Sequence, residues 1–224
     1  MTIRVVVADD EALVRDGLVA IVGSEPDLEV VATAGNGEEA VASVARHRPD
    51  VVLMDVRMPG VDGLEDTRRI VAADGATRVL VLTTVELDEV VYDALRAGAS
   101  GFLLKSVPRE QLWAGIRAVA AGDALLAPRI TRRLIEAHLT HGGVRKDILH
   151  VTDRQADVLR LVARGLTNAE IATELHLAGS TVKGYVSEML TRHGLRDRTQ
   201  LVVLAYESGL VRPGSNGEPP RRPG

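Results

Sequence analysis

"VVLMDVRMPG" (residues 51–60) begins as an apolar run suited to the middle of a sheet, then places Asp55 directly after four hydrophobic residues. A second run, "IRVVVADDE" (3–11), stops in the same way on Asp9, Asp10 and Glu11. Working outward, "LEVVATA" (28–34), "RVLVLTT" (78–84) and "GFLLK" (101–105) complete a set of five short β-branched or apolar runs, with the central one read as 50–56. Between them lie segments with apolar residues at three and four spacing, such as Leu13, Leu18, Ile21 and Val22, or Leu112, Ile116 and Val119. Near-continuous Val/Leu strands alternating with helices predict an α/β fold, a doubly wound parallel sheet covered on both faces. In such a sheet ligands bind outside the carboxyl ends of the strands. Those ends carry Asp9, Asp10, Asp55, Thr83 and Lys105, so the carboxylates are expected at a binding edge and not inside the core.

The chain has 224 residues, 46% of them hydrophobic, enough for two domains with a core each. It has no cysteine, which excludes disulfides and thiolate metal sites and leaves oxygen or imidazole as metal ligands. No apolar stretch approaches the roughly 20 residues needed to span a bilayer, and the N-terminus enters a strand pattern without a signal sequence, so a cytoplasmic location and no membrane partner are expected. The net charge of −4 is unevenly spread. Residues 1–122 carry 12 basic against 20 acidic groups, whereas 123–150 and 151–224 each carry two more basic than acidic groups. The first part repels nucleic acid and the remainder mildly attracts it.

Residues 123–150 read as a linker with a possible helix around 130–139. From Thr152 onward three helix-start signals appear: Thr152 with Gln155, Thr167 with Glu170, and Asp197 with Gln200. Gly165, Gly194 and Gly209 fall where helices would stop. Four short helices are expected at about 153–164, 168–176, 180–193 and 198–208. The tail 212–224 has no hydrophobic anchor and is expected to be disordered. His138, His141, His150, His176 and His193 lack metal-like spacing.

Three carboxylates without cysteine define a hard oxygen site, favouring magnesium (or manganese). Lys105 offers a positive charge that could neutralise a carboxylate or hold an anion, and Thr83 offers a hydroxyl. A nucleophilic carboxylate, a cation, a hydrogen-bond donor and a positive charge together suit acceptance of a phosphoryl group as an acyl phosphate. Each aspartate alone would more simply begin a loop or cap a helix.

With "DDE" after the first strand, "MDVRMPGVDG" after the third, "LTT" at the fourth and "GFLLK" at the fifth, residues 1–122 resemble the receiver domain of two-component response regulators. The resemblance implies a flavodoxin-like sheet and Asp55 as phospho-acceptor. It implies magnesium held by Asp9, Asp10, Asp55 and the backbone carbonyl of Arg57, and phosphoryl oxygens bound by Thr83 and Lys105. Phe102 takes the position of the family's rotating aromatic switch, acting with Thr83; plain core is its other reading. Ser106 replaces the proline that many receivers place after the lysine, and Val85 and Glu86 replace an aromatic and an aspartate.

In the last segment, "NAEIATELH" and "STVKGYVSEMLTRH" are joined by a few residues containing Gly179, as in a helix-turn-helix. Val182, Val186, Met189 and Leu190 form an apolar stripe, and the other face carries Lys183, Gly184, Ser187 and Thr191. Such a face suits a major groove, with Lys183 available for guanine or phosphate and with Arg192, Arg196 and Arg198 as further phosphate contacts. A protein-interaction module with a solvated face is the alternative. The stretch 166–190 and "GLRDRTQLVVLAYESGL" (194–210) closely resemble the LuxR-type helix-turn-helix, whose pairing with a receiver is the NarL/FixJ subfamily architecture. The resemblance implies pairing of two DNA-binding domains through the helix at 199–208. Ala178 replaces the usual serine cap, Tyr185 replaces the usual histidine, and Gly184 costs its helix about 1 kcal/mol relative to alanine.

The expected function is a DNA-binding transcriptional regulator. A sensor histidine kinase phosphorylates it on Asp55, and it then forms a homodimer on two-fold double-stranded DNA through a receiver surface at the fourth helix and fifth strand or at the first and last helices. It is expected not to be an enzyme beyond its own phosphorylation and dephosphorylation. Two rivals are an enzyme that hydrolyses its own aspartyl-phosphate, and a phosphate-independent receiver with constitutive dimerisation.

Overall fold

The computed structural model describes residues 2–56, 58, 63–73, 75–84, 93–122 and 150–211. The expected helix at 130–139, the tail 212–224, and Arg57, Val85, Glu86, His138 and His141 lie outside the described residues. The chain divides into two compact units, Met1–Leu125 and Leu126–Gly224.

The first unit runs β1 (Ile3–Ala8), α1 (Ala12–Gly23), β2 (Leu28–Ala34), α2 (Gly37–His47), β3 (Val51–Asp55), α3 (Gly63–Ala73), β4 (Arg78–Thr83), β5 (Gly101–Leu104) and α4 (Arg109–Ala120). The strands form one sheet in the order β2-β1-β3-β4-β5, every neighbouring pair parallel. The expected five-stranded parallel sheet is therefore present. Every residue of β3 is buried, as required of a central strand covered on both faces. On one face Val5, Val7, Val51, Leu53, Leu80 and Leu82 pack with Leu18 and Val22 of α1 and Leu112, Ile116 and Val119 of α4. Helices α2 and α3 contact each other and, between them, β1 to β4. Local chemistry sets the helix ends: the Asn36 side chain accepts from Glu39 N–H at the start of α2, and Arg48 closes it in the left-handed region with φ 44. Trp113 Nε1 donates to the Ile21 carbonyl at 2.9 Å, fastening α4 to α1.

The second unit contains α5 (Asp153–Ala163), α6 (Asn168–Glu174), α7 (Gly179–Arg192) and α8 (Arg198–Glu207). Thr152 with Gln155 and Thr167 with Glu170 form reciprocal capping boxes, and Asp197 accepts from Gln200 N–H. Gly165, Gly194 and Gly209 all take positive φ after their helices. The turn between α6 and α7 differs from expectation. Gly179 is the first residue of α7, and the left-handed residue of the turn is His176, with φ 52. Val158, Leu159, Val162, Ile171, Val182, Met189 and Leu201 form the core of this unit. Among the described residues no helix is long and apolar enough to cross a membrane.

Candidate functional site

Strand register brings the acidic groups together. Ala8 pairs with Met54, Asp55 with Leu82 and Thr83 with Leu104. The next residues beyond β1 and β5, Asp9 with Asp10 and Lys105, therefore emerge along one edge with Asp55. The Asp9 backbone is held by its N–H donating to Ala34 O at 3.1 Å and its carbonyl accepting from Arg15 Nη1 at 2.6 Å. Its Oδ1 accepts from Glu11 N–H at 3.0 Å. Its Oδ2 stands 2.7 Å from Lys105 Nζ. The same Nζ donates to Asp55 Oδ2 at 2.8 Å. Asp9 and Asp55 are buried, so one ammonium is shared by two buried carboxylates. Burial acts against the lysine charge, but the hydrogen bonds and charges of Asp55 and Asp9 outweigh it and hold Lys105 above its ordinary pKa.

Asp10 completes a group of three in which one oxygen from each carboxylate lies within 4.8 Å of the others. All the donors are hard oxygens, a set suited to a divalent cation of the magnesium type. Thr83 ends β4 at the same edge, buried, with its carbonyl accepting from Lys105 N–H at 2.7 Å. Phe102 is buried in β5, paired with Val81, so its ring faces the interior in this structure. Gly63 is a site residue that the sequence reading quoted within its motif without assigning it a role. A Cβ there would lie 2.8 Å from Asp55 O and 2.9 Å from Val56 O, so only glycine lets α3 start this close to the end of β3.

In the second unit Lys183, Gly184, Ser187 and Thr191 are all exposed along one side of α7, while Val182, Val186 and Met189 are buried on the other. Arg192, at the end of α7, is paired with Glu188 and donates to His150 O at 3.2 Å. Arg196 is half-buried. Arg198, the remaining residue expected at a phosphate, is turned into the fold in this structure. It is buried, donating to Asn168 Oδ1 at 2.7 Å and to Leu166 O. Its charge ties α8 to the start of α6, because a buried guanidinium must spend its donors on internal acceptors.

Comparison with known proteins bears on both units. The family model of the response regulator receiver domain matches residues 5–117, and that of bacterial regulatory proteins of the luxR family matches residues 150–205. The DNA-binding transcriptional activator DevR/DosR of Mycobacterium tuberculosis is 39% identical over 216 residues, covering 96% of this chain and 99% of the relative. The oxygen regulatory protein NreC of Staphylococcus aureus is 36% identical, covering 93% and 99%. Among solved structures, the response regulator ChrA of a heme-sensing two-component system matches with a TM-score of 0.51 and 32% identity, covering 94% of this chain and 99% of that one.

Proposed function

Because the chain belongs to the two-component response regulators of the NarL/FixJ type, in which a receiver domain is joined to a LuxR-type helix-turn-helix, we propose that it controls transcription by accepting a phosphoryl group on Asp55 from a sensor histidine kinase. The observation that carries this reading is the Lys105 ammonium set between Asp55 and Asp9, with Asp10 alongside, at the carboxyl edge of the sheet. A carboxylate oxygen of Asp55 attacks phosphorus, the P–N bond to the kinase imidazole breaks, and an acyl phosphate results. Lys105 and the Thr83 hydroxyl meet the charge on the phosphoryl oxygens. Asp9, Asp10 and Asp55, with the Arg57 carbonyl that the family resemblance adds, would hold magnesium or manganese, which supplies further charge neutralisation at those oxygens. The chemistry stays within the protein's own phosphorylation and dephosphorylation.

The proposed division is a receiver at 1–122, a linker at 123–150, a DNA-binding domain at 151–211 and a tail at 212–224. Phosphorylation favours a homodimer on a two-fold promoter site, with α8 pairing the DNA-binding domains. Helix α7 enters the major groove through Lys183, Gly184, Ser187 and Thr191, and Arg192 and Arg196 serve the phosphates. In the test, acetyl phosphate and magnesium are expected to label the wild type with hydroxylamine-labile phosphate and to leave Asp55→Asn unlabelled. Undiminished labelling of Asp55→Asn would move the acceptor elsewhere, and full labelling in excess EDTA would remove the metal.

A further inference from the structure

Asp9 and Asp10 stand between β1 and α1, and their carboxylates are held by different means. Asp9 is fixed at each of its polar groups: N–H on Ala34 O, Oδ1 on Glu11 N–H, Oδ2 beside Lys105 Nζ, and the carbonyl on Arg15 Nη1. The Asp10 carboxylate has no hydrogen bond or ion pair among the described residues, so its aim at the site depends on its backbone. The peptide plane that joins it to Asp9 carries the Asp9 carbonyl oxygen, and to that oxygen Arg15, in the first turn of α1, donates at 2.6 Å. Because the atoms of a peptide unit move as one plane, the guanidinium fixes the direction in which the Asp10 Cα leaves it.

The guanidinium is itself confined. Arg15 is half-buried, and its Nη1 lies 3.5 Å from where a Cβ on Gly35 would stand, so it rests against the turn between β2 and α2. That turn is closed by Gly35 N–H donating to Glu39 Oε2 at 2.8 Å and by Glu39 N–H donating to Asn36 Oδ1 at 2.9 Å. Charge alone gives Arg15 the wrong sign for this place, since a guanidinium near three carboxylates that could gather a divalent ion competes with that ion. We infer that Arg15 is a positioning residue, which aims Asp10 at the divalent cation by holding the peptide plane between Asp9 and Asp10. This rests on Asp9, Asp10 and Asp55 being the cation's site. Position and charge predict opposite signs when the guanidinium is removed.

The experiment titrates the full chain with manganese, the free ion being counted by electron paramagnetic resonance. It compares wild type, Arg15→Met, Arg15→Gln, Arg15→Lys, Asp10→Asn and the double variant Asp10→Asn with Arg15→Met, and takes urea midpoints without metal. Arg15→Met and Arg15→Gln are expected to bind manganese about tenfold more weakly, although each removes a positive charge, because a group that orients a metal ligand controls its affinity. Arg15→Lys, with a donor on a shorter stem, is expected to recover part of the loss. On the Asp10→Asn background Arg15→Met is expected to cost less than about twofold more, because two residues that act through one another are not additive. In labelling by acetyl phosphate, the magnesium concentration for half-maximal rate is expected to rise about tenfold in Arg15→Met, with a much smaller change in the rate at saturating magnesium. Equal or tighter manganese binding by the neutral variants overturns the positioning role, and a loss that adds in full to that of Asp10→Asn overturns the route through Asp10. Lowered urea midpoints with unchanged binding per folded molecule would assign Arg15 to the fold alone. If Asp10→Asn binds as wild type does, or wild type binds no manganese, the cation-site reading fails and the inference falls with it; if Asp10→Asn weakens binding and Arg15→Met does not, only the role of Arg15 is lost.

Discussion

Lys105 reaches across the sheet edge to Asp55, its Nζ 2.8 Å from Oδ2, although the two residues are 50 positions apart in the chain. The same nitrogen is 2.7 Å from Asp9 Oδ2, so one cation is the counter-charge of two buried carboxylates. With that arrangement, a divalent ion bound by the same carboxylates would partly substitute for Lys105.

Lys105→Ala is accordingly expected to lower metal-free stability at neutral pH by about 2–4 kcal/mol, the scale of an uncompensated buried charge. It is expected to tighten magnesium binding about tenfold by removing a competing positive charge, while phosphate labelling of Asp55 falls. Urea unfolding with and without magnesium and calorimetric titration read the first two effects. Because the folded-state pKa of Lys105 is raised, its stabilisation is complete below the ordinary lysine value of 10.5 and is lost as pH rises through the folded value. On the alkaline side the gap between wild type and variant therefore closes only as pH rises through the folded value of Lys105. Weaker magnesium binding by the variant would contradict the substitution idea.

Gly63→Ala is expected to destabilise the receiver by about 1–3 kcal/mol, since backbone carbonyls at 2.8 and 2.9 Å from the added Cβ cannot swing aside. It also shifts the end of β3 that carries Asp55, so the rate of labelling by acetyl phosphate is expected to fall. Gly17→Ala in α1 is the control. Its Cβ meets nothing within 4 Å, and a gain of about 0.5–1 kcal/mol is expected.

Asp66 lies fully buried on α3, with Arg69 Nη1 donating to Oδ1 at 3.0 Å and no hydrogen-bond partner at Oδ2. Burial pushes its pKa up, Arg69 opposes the shift, and Glu38 and Glu65 add to it. A raised carboxyl pKa means that the fold prefers the neutral acid. The stabilisation is complete below the ordinary value of 3.8 and is lost as pH rises through the folded value. Asp66→Asn should therefore unfold at higher urea than wild type at pH 7, with the advantage shrinking as pH falls toward 3.8. A gap independent of pH would show that the carboxylate charge is not the cause.

Arg198→Ala and Lys183→Ala separate an internal role from a contact with DNA. Loss of the Arg198 bonds to Asn168 and Leu166 is expected to cost the helical unit about 1–3 kcal/mol per stranded partner group. The salt dependence of DNA binding by the folded fraction should stay as in wild type. Lys183→Ala is expected to leave stability within about 0.5 kcal/mol. If Lys183 contacts phosphate, the salt slope falls by about one unit per site; if it reads guanine, the loss falls on one base position of each half-site. Binding isotherms across salt concentrations distinguish the cases.

Much of this protein was legible in the chain because the signals are local. Strand runs ending on Asp9, Asp55, Thr83 and Lys105 followed from hydrophobic patterning, and the caps at Thr152, Thr167 and Asp197 from hydrogen bonds spanning three residues. The inward placing of Arg198 was not legible because exposure is not a local property. Its position after Asp197 looks like any surface helix start, and only the packing of α8 against α5 and α7, which brings Asn168 and Leu166 within its reach, turns it inward. Gly63 was visible as a letter in a motif, but its necessity depends on where α3 meets the end of β3.

By itself the sequence determined the parallel sheet, the carboxylates at its binding edge and the helix-turn-helix, because periodicity and capping act within one element. Only the tertiary structure decided which groups share a charge and which are excluded from water. Lys105 faces both Asp9 and Asp55, Arg198 leaves the surface, and Asp66 is sealed against Gly37. Those outcomes depend on distances between elements far apart in the chain, which residue order alone does not set.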